Sequence, residues 1–428
     1  MKPRPPEAPR LVRRQRGGAL LSAALLLLLA ASATLAASAH LAHQAKQRSN
    51  ERTVAALAQA KDALIGYAFG YPELAHDGQG IGYLPCPDKT NNGSGFGTCN
   101  VRHHGALGRI PYRTLGLPVL RDGDGQCLWY AVAGSVKNNP KPLALNWDSP
   151  GQFRIVSPSG RPISGEEHNV VAAILSPGGA LPSQTRPPAL TATQRCPGSA
   201  DASADLPAFL DRAYATDISG NLDIVHGEVG AGTNDAAVWI TVDELFSVLR
   251  RRSDFSAMID TVLDASVNAL ASRLDPADAD SPSAAFLETH AETLIGNRAH
   301  GLLPNSAALG VAEAQANGYD NWRDQLRFVA CVDGGACLTA AMADSATSHA
   351  VSATETCRAL VLFGGERLRG GTPQRRRTAT ERADPAQYLE GMNRESFITG
   401  TGGYVGYRHY AIASPRQPAS EDLIRCVP

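Results

Sequence analysis

One long apolar stretch dominates the N-terminal part of the chain. Residues 19–39 carry no charge over 21 positions, and a helix of that length spans about 30 Å, the hydrocarbon thickness of a bilayer. The following 30 residues contain no proline. Apolar side chains return there at the spacing of one helical face: Val54, Leu57, Leu64 and Ile65. The pattern predicts one continuous helix over residues 19–68, half in lipid and half amphipathic.

Short apolar runs separated by turn residues follow this helix. In residues 67–135 glycine, proline and aspartate divide such runs, which is typical of strands joined by loops. A second amphipathic helix is predicted over residues 254–274, because apolar side chains fall on one face and the segment is too polar for lipid. Residues 275–284, rich in proline and aspartate, are predicted to form a solvated loop.

An internal repeat relates the two halves of the chain. An apolar run starting at residue 170 ends in Gly178-Gly179, one starting at residue 357 ends in Gly364-Gly365, and a polar loop with arginine follows each. Further segments match in the same order: 127–132 with 325–331, 204–211 with 383–391, and 243–249 with 421–427. Matches in one order indicate a duplication.

These patterns together predict an α+β protein with a long N-terminal helix followed by two tandem modules. Each module is expected to be a helix packed on a small, mainly antiparallel sheet. The predicted divisions are a basic leader at 1–18, the transmembrane and assembly helix at 19–68, a first module at 69–250, and a second, duplicated module at 251–428.

Eight cysteines lie beyond the apolar stretch: Cys86, Cys99, Cys127, Cys196, Cys331, Cys337, Cys357 and Cys426. An even set of this kind fits disulfides in an exported compartment. Connectivity stays open, although Cys86 with Cys99 and Cys331 with Cys337 would close short loops and Cys357 with Cys426 a long one. The alternative is buried free thiols.

The net charge of the chain is too small to attract a charged partner over long range. The 40 basic and 41 acidic residues nearly cancel, so no global field draws the chain to nucleic acid or anionic lipid. Six arginines cluster between residues 365 and 382, but no aromatic residue is interleaved. A solvated loop is therefore predicted there, and no nucleic-acid partner.

Basic residues precede the apolar stretch: Arg10, Arg13, Arg14 and Arg16. The positive-inside rule keeps this end cytoplasmic and sends everything after residue 40 outward, as the cysteines require. A secretory signal peptide has the same basic start and apolar middle, and residues 37–39 form an acceptable cleavage site before His40. Cleavage after Ala39 and a retained helix are both open alternatives.

The start of the chain resembles the N-terminus of type IV pilins and type II secretion pseudopilins. The resemblance is carried by a short basic leader that ends in Gly18 and by the continuous, half-apolar helix after it. In that family a prepilin peptidase cuts after the glycine on the cytoplasmic side, and the apolar half of the helix packs into a filament core. The resemblance implies that Gly18 ends the leader and that Ala19 is the first mature residue.

The chain departs from the family at mature position five, where a glutamate is usual and Ala23 stands here. In the family that carboxylate compensates the charged amino terminus of a neighbouring subunit, because an unpaired charge in an apolar core is costly. A tip subunit has no such neighbour ahead of it, and the tip pseudopilin likewise lacks the glutamate. Ala23 therefore indicates a tip position, or a protein outside the filament.

No motif of an enzyme class is present in the sequence. A G-x-S-x-G elbow, a Walker loop, an HExxH pair and a dinucleotide fingerprint are all missing, so no catalytic or cofactor-binding residues are assigned. Some pseudopilins bind calcium in an acidic loop, and Asp122 and Asp124 sit around glycines in a comparable stretch. Calcium is thus a candidate ligand there, although a tight turn uses the same residues.

The sequence thus predicts a non-enzymatic, pilin-like subunit of a pilus or secretion filament. Its expected partners are other pilins or pseudopilins, prepilin peptidase and the inner membrane, with the N-terminus cytoplasmic and both modules periplasmic or extracellular. The alternative is an exported periplasmic or anchored protein, an adhesin or an enzyme, whose first 39 residues are a signal peptide.

Overall fold

The computed structural model describes residues 16–74, 79–165, 167–188, 195–227, 232–275, 283–345, 351–368, 374–376, 378–411 and 422–428. Most of the basic leader, with Arg10, Arg13 and Arg14, lies outside the described residues. The predicted loop at 275–284 lies mostly outside them as well.

The first helix, α1, runs without a break over Arg16–Phe69. Its 54 residues give a length of about 80 Å. The N-terminal part stands away from the rest of the protein, whereas Ala56, Leu57, Ala60 and Leu64 are buried against the first sheet. The predicted continuous helix is confirmed, and the chain is already helical at Arg16, the first residue that the structure describes.

A mixed sheet of seven strands lies against the C-terminal part of α1 in the described chain. The strands are β1 (Gly105–Arg109), β2 (Trp129–Val132), β3 (Phe153–Val156), β4 (Val170–Ser176), β5 (Asp217–Ile218), β6 (Leu222–Val225) and β7 (Ala236–Thr241). Their order is β5-β1-β2-β4-β3-β6, and β7 also pairs with β4. The pairs are antiparallel except β3 with β6. Since α1 covers β4 and β7, every residue of the apolar β4 is buried.

Helices connect and cover the strands. They are α2 (Ala202–Phe209), α3 (Val242–Leu249), α4 (Phe255–Arg273), α5 (Ser283–His290), α6 (Ser306–Leu309), α7 (Glu313–Trp322), α8 (Ala379–Ala383) and α9 (Gly391–Thr399). Single 3-10 turns lie at Arg323–Gln325 and Pro385–Gln387. The helix α4 matches the second amphipathic helix predicted from the sequence.

The second sheet has eight strands in the part of the chain that the structure describes. They are β8 (Thr293–Ile295), β9 (Arg298–Leu302), β10 (Leu326–Cys331), β11 (Leu338–Ser345), β12 (Val351–Cys357), β13 (Ala359–Phe363), β14 (Tyr404–His409) and β15 (Leu423–Val427). Their order is β12-β11-β14-β15-β13-β10-β9-β8, with β14 parallel to both of its neighbours. The fold is therefore α+β, as the patterning predicted. Both sheets are mainly antiparallel, as expected, but each also contains parallel pairing.

The two sheets share a common core arrangement. The strands β1-β2-β4-β7 and β9-β10-β13-β15 are both consecutive antiparallel ladders. The helix α1 packs on β4 and β7, and α4 packs on β13 and β15. One of the sequence matches is nevertheless wrong, because residues 243–249 lie in α3 whereas the matched residues 423–427 form β15.

The eight cysteines form four disulfides among the described residues. Cys86 bonds Cys99, Cys127 bonds Cys196, Cys331 bonds Cys337 and Cys357 bonds Cys426. Three of these are the pairs considered from the sequence, and no cysteine is free. The alternative of buried free thiols is wrong, and the linkages favour an oxidising, extracytoplasmic environment for both sheets.

Candidate functional site

The N-terminal part of α1 is an apolar surface that nothing in the described chain covers. Every side chain over residues 21–43 is exposed, and Leu21, Leu28 and Leu35 expose about 70% of their area. A helix that is hydrophobic all round is stable only in lipid or against other helices. Within the described residues α1 is the single helix long and apolar enough to cross a membrane.

The residues predicted to take part in processing lie near the start of this helix. Gly18 and Ala19 lie within α1, and the side chain of Ala19 lies outside the described residues. Ala23 is exposed on the helix surface and brings no carboxylate there. Ser38, inside the alternative cleavage site, also lies within the unbroken helix and donates to the Leu35 carbonyl at 2.8 Å.

The loop that holds Asp122 and Asp124 docks on α1. The Gly123 N–H donates to Thr53 Oγ1 at 2.9 Å. A side chain at residue 123 would place its Cβ 2.1 Å from the Ser49 carbonyl oxygen, so only glycine permits this approach. The loop thereby fixes the angle at which the helix leaves the first sheet.

The carboxylate of Asp122 is buried and holds this loop in shape. Its Oδ1 accepts from the N–H groups of Asp124 and Gln126, and its Oδ2 accepts from Ser176 Oγ and the Gly178 N–H, all within 3.0 Å. Four donors occupy both oxygens, which is the use expected of a structural turn. Asp124 is exposed beside it. Calcium binding by this pair stays a prediction that the hydrogen bonding does not support.

A groove of about 850 Å³ runs between α1 and the first glycine pair. Lys46, Ser49 and Asn50 line one wall, and Gly178 and Gly179 line the other. Its surface is a mixture of backbone, small side chains and two opposite charges, Lys46 and Asp124. Ser176, whose hydroxyl donates to the Asp122 carboxylate at 2.9 Å, also lines the groove.

Two arginines, the half-buried Arg186 and the fully buried Arg376, organise equivalent loops in the two halves. The first arginine centre comprises Arg186, Gly178, Gly179, Gln184 and Phe209. The second arginine centre comprises Arg376, Gly364, Gly365, Gln374 and Tyr388.

In the first arginine centre the guanidinium ties the glycine loop to the end of α2. Arg186 Nη1 donates to the Gly178 carbonyl at 2.5 Å, and Nη2 donates to Gln184 Oε1 at 3.0 Å. Its Nε donates to the Ala208 carbonyl, and its carbon lies 5.4 Å from the Phe209 ring centre. These contacts satisfy loop carbonyls that would otherwise be buried without partners.

The second arginine centre makes equivalent contacts to its glycine pair, its glutamine and its aromatic ring. Arg376 Nη2 donates to the Gly364 carbonyl at 3.0 Å and to Gln374 Oε1 at 2.8 Å. Its Nε donates to the Gln387 carbonyl, and its carbon lies 4.3 Å from the Tyr388 ring centre. The prediction of a solvated arginine loop is wrong for this residue, since its side chain is completely buried.

In each arginine centre, hydrogen bonds connect the glutamine to two acidic residues. In the first, Gln184 donates to Asp211, whose own N–H donates to Asp235. In the second, Gln374 donates to Glu390, whose N–H donates to Asp422. Asp235 directly precedes β7, which pairs with β4, and Asp422 directly precedes β15, which pairs with β13. The glycine pairs follow β4 and β13. The equivalence therefore extends from the loops into the sheets.

Burial strongly perturbs one of these carboxyls. The pKa of Asp235 is raised to about 8, chiefly by desolvation and also by the nearby negative charge of Asp211, while the Asp211 N–H and Arg186 act in the opposite direction. A buried carboxyl with this pKa is largely protonated in neutral solution. Asp235 Oδ2 accepts from the Asp211 N–H at 2.8 Å, and its neighbours Asn234 and Ala236 line the groove described above.

The second centre also receives a carboxylate from the first half of the chain. Asp148 Oδ2 lies 3.0 Å from Arg376 Nη1 and accepts from Gln325 Nε2 at 2.6 Å. Its Oδ1 lies 2.9 Å from Arg367 Nε. Both Asp148 and Arg376 side chains are fully buried, and the charge of Arg376 is thus balanced by a residue 228 positions away.

An aromatic cluster forms around Trp147, the residue that precedes Asp148 in the chain. Trp147 lies between 4.5 and 6.2 Å, ring centre to ring centre, from four aromatic side chains of the second half. They are Phe255, Trp322, Phe363 and Tyr410. The cluster joins the cores of the two halves into one continuous apolar core. We call residues 146–149, with this cluster, the module junction.

The chemistry of the module junction is that of packing and charge balance. The sequence offered one signal for the arginine centres, a Gln-x-Arg triplet that follows the glycine pair in both repeats, at 184–186 and 374–376. Nothing in the sequence singled out Trp147 or Asp148, because their partners lie in the other half.

No protein-family model, curated protein or solved structure matches this chain. The N-terminal apolar helix of membrane length and the four disulfides of the β-rich part indicate an exported protein.

Proposed function

We propose that the chain is a pilin-like or pseudopilin-like subunit of a type IV pilus or a type II secretion-type filament. It acts by assembly and surface binding rather than by catalysis, after prepilin peptidase has cut between Gly18 and Ala19. The observation that carries the proposal is α1, in which an exposed apolar half and a C-terminal half with one face buried against the head belong to one unbroken helix.

Helix continuity favours a retained helix over a discarded signal. The C-terminal part of α1 packs on the first sheet. The loop that contains Gly123 contacts the helix at Ser49 and Thr53. The apolar half is therefore held rigidly on the head. That geometry suits a helix that leaves the membrane to pack beside other helices.

A place at the tip of the filament agrees with two features. Ala23 supplies no carboxylate for the amino terminus of a subunit ahead. The head holds two sheets that share one core, and a head of that size is best accommodated where no further subunit follows. The shared ladders and arginine centres support a duplicated head.

Site-specific photo-cross-linking in cells that assemble such filaments tests the proposal. A photoreactive residue at Leu28, about 70% exposed on α1, is expected to capture other prepilin-class subunits. The same residue at Val101, 58% exposed on the head, is the matched control and should not capture their N-terminal helices. Capture of lipid alone at Leu28, with the chain missing from the filament fraction, would contradict assembly.

A further inference from the structure

A cluster of cations lies on α1 just beyond its apolar stretch. Lys46, Arg48 and Arg52 are exposed, and within the described residues none of them forms an ion pair. The single acidic residue among them is Glu51, which is exposed as well. We call Lys46, Arg48 and Arg52 the basic collar. Because its three cations outnumber Glu51, this segment carries a net positive charge on a chain whose total charge is close to zero.

The position of the basic collar is set by the helix. The apolar stretch ends at residue 39, so Lys46 stands about 10 Å and Arg52 about 20 Å beyond the hydrocarbon edge. The headgroup layer is about 5–8 Å thick on each side of a bilayer, and charges act across about 8 Å of physiological solution. Long basic side chains also reach back toward the headgroups. Lys46, the collar residue closest to the hydrocarbon edge, thus lies within reach of the lipid headgroups.

Processing after Gly18 makes the collar the dominant charge of the helix. It removes Arg10, Arg13, Arg14 and Arg16 with the leader. Lys46 is then the first lysine or arginine of the mature chain. Of the groups that face it, Asp124 lies across the groove from Lys46, whereas Arg48 and Arg52, four residues apart, occupy one face of the helix.

We infer that the basic collar binds the anionic phospholipid headgroups of the leaflet from which the head emerges. The inference rests on the orientation in the proposed function. The collar selects lipid by net charge, fixes the height of the head above the membrane, and is released when the helix leaves the bilayer. Basic residues beside a membrane are attracted to anionic headgroups additively and in a salt-dependent way.

Native mass spectrometry of the mature full chain in nanodiscs provides the test. Nanodiscs with equal amounts of phosphatidylglycerol and phosphatidylcholine would be used, and the lipids that stay bound on release would be counted. We expect phosphatidylglycerol to be enriched about 5-fold or more. The triple variant K46Q/R48Q/R52Q should bring the ratio to about one, as should 0.5 M salt.

The control variant is R102Q/R113Q/R161Q, which removes three exposed cations from the head and should keep the enrichment. Added inorganic phosphate should not compete, because a headgroup at the bilayer surface and not a free anion is the ligand. Enrichment that persists in K46Q/R48Q/R52Q would overturn the inference. A chain that begins at His40 and fails to insert would instead overturn the proposed function.

Discussion

The buried ion pair at the module junction makes a quantitative prediction about stability. Asp148→Asn keeps the shape of the side chain and an acceptor for Gln325, but it removes the negative charge beside Arg376. Because both partners are fully buried, Arg376 would keep an uncompensated charge among carbonyl oxygens. Loss of one partner of such a pair costs about 3–5 kcal/mol, and the loss should fall on the second sheet.

Urea unfolding of the full chain in detergent, followed by tryptophan fluorescence, measures the effect. Trp147 and Trp322 report on the module junction, whereas Trp129 lies in the first sheet. Hydrogen exchange should show the loss of protection in β10, β13 and β15 before β2 and β4.

Two control variants define the result. Asp223→Asn breaks a half-exposed pair with Arg154 and should cost at most about 1 kcal/mol. Asp148→Asn combined with Arg376→Gln removes both charges and should recover part of the loss in a double-mutant cycle. A cost for Asp148→Asn no larger than that for Asp223→Asn would refute the assigned role of the pair.

Three further changes probe the packing and the buried carboxyl. Trp147→Ala should lower the free energy of unfolding by about 3–5 kcal/mol, measured by urea unfolding, and no loss would contradict the junction. Gly123→Ala should loosen the loop from α1 and raise hydrogen exchange near Thr53, whereas Gly97→Ala, with open space around it, should have no effect. Asp235 has a pKa of about 8 in the folded state and about 3.9 in the unfolded state. Between these values the folded state binds more protons than the unfolded state. The free energy of unfolding should therefore fall as pH rises from about 4 to about 8. Asp235→Asn should flatten that decline in thermal unfolding, and an unchanged slope would contradict the shift.

The elements that depend on local pattern were the predictable ones. The apolar stretch and the spacing of Leu57 and Leu64 specify α1, and the face that carries Phe255 and Ile259 specifies α4. Both helices come from a periodicity that tertiary contacts reinforce. The glycine pairs that follow β4 and β13 were found from the internal repeat.

The wrong match between residues 243–249 and 421–427 shows that similar sequences can form different secondary structures. The first segment forms a helix because Thr241 caps it by accepting from the Glu244 N–H. The second forms a strand because it pairs with β13, and Cys426 is tied to Cys357. Similar apolar patterns over seven residues fit a short helix or a strand, and the surroundings decide. The duplication stays a prediction, which the equivalent ladders support.

The module junction could not be predicted from the sequence. Asp148 and Arg376 are distant in the chain, and a single aspartate or arginine among many carries no signal of burial. Their pairing follows only from the way the segment at Trp147 inserts into the aromatic cluster. Long-range packing of this kind is what local propensity leaves unspecified.

The mature N-terminus is the most direct test of the central claim that α1 is retained as an assembly helix. Intact-mass and peptide mass spectrometry would be done with the native prepilin peptidase present and absent. Gly18→Val would block that enzyme, and A37L/A39L would block a signal peptidase. The proposed function predicts a chain that begins at Ala19, depends on the peptidase and is lost only in Gly18→Val. A chain that begins at His40 and is lost only in A37L/A39L would contradict it.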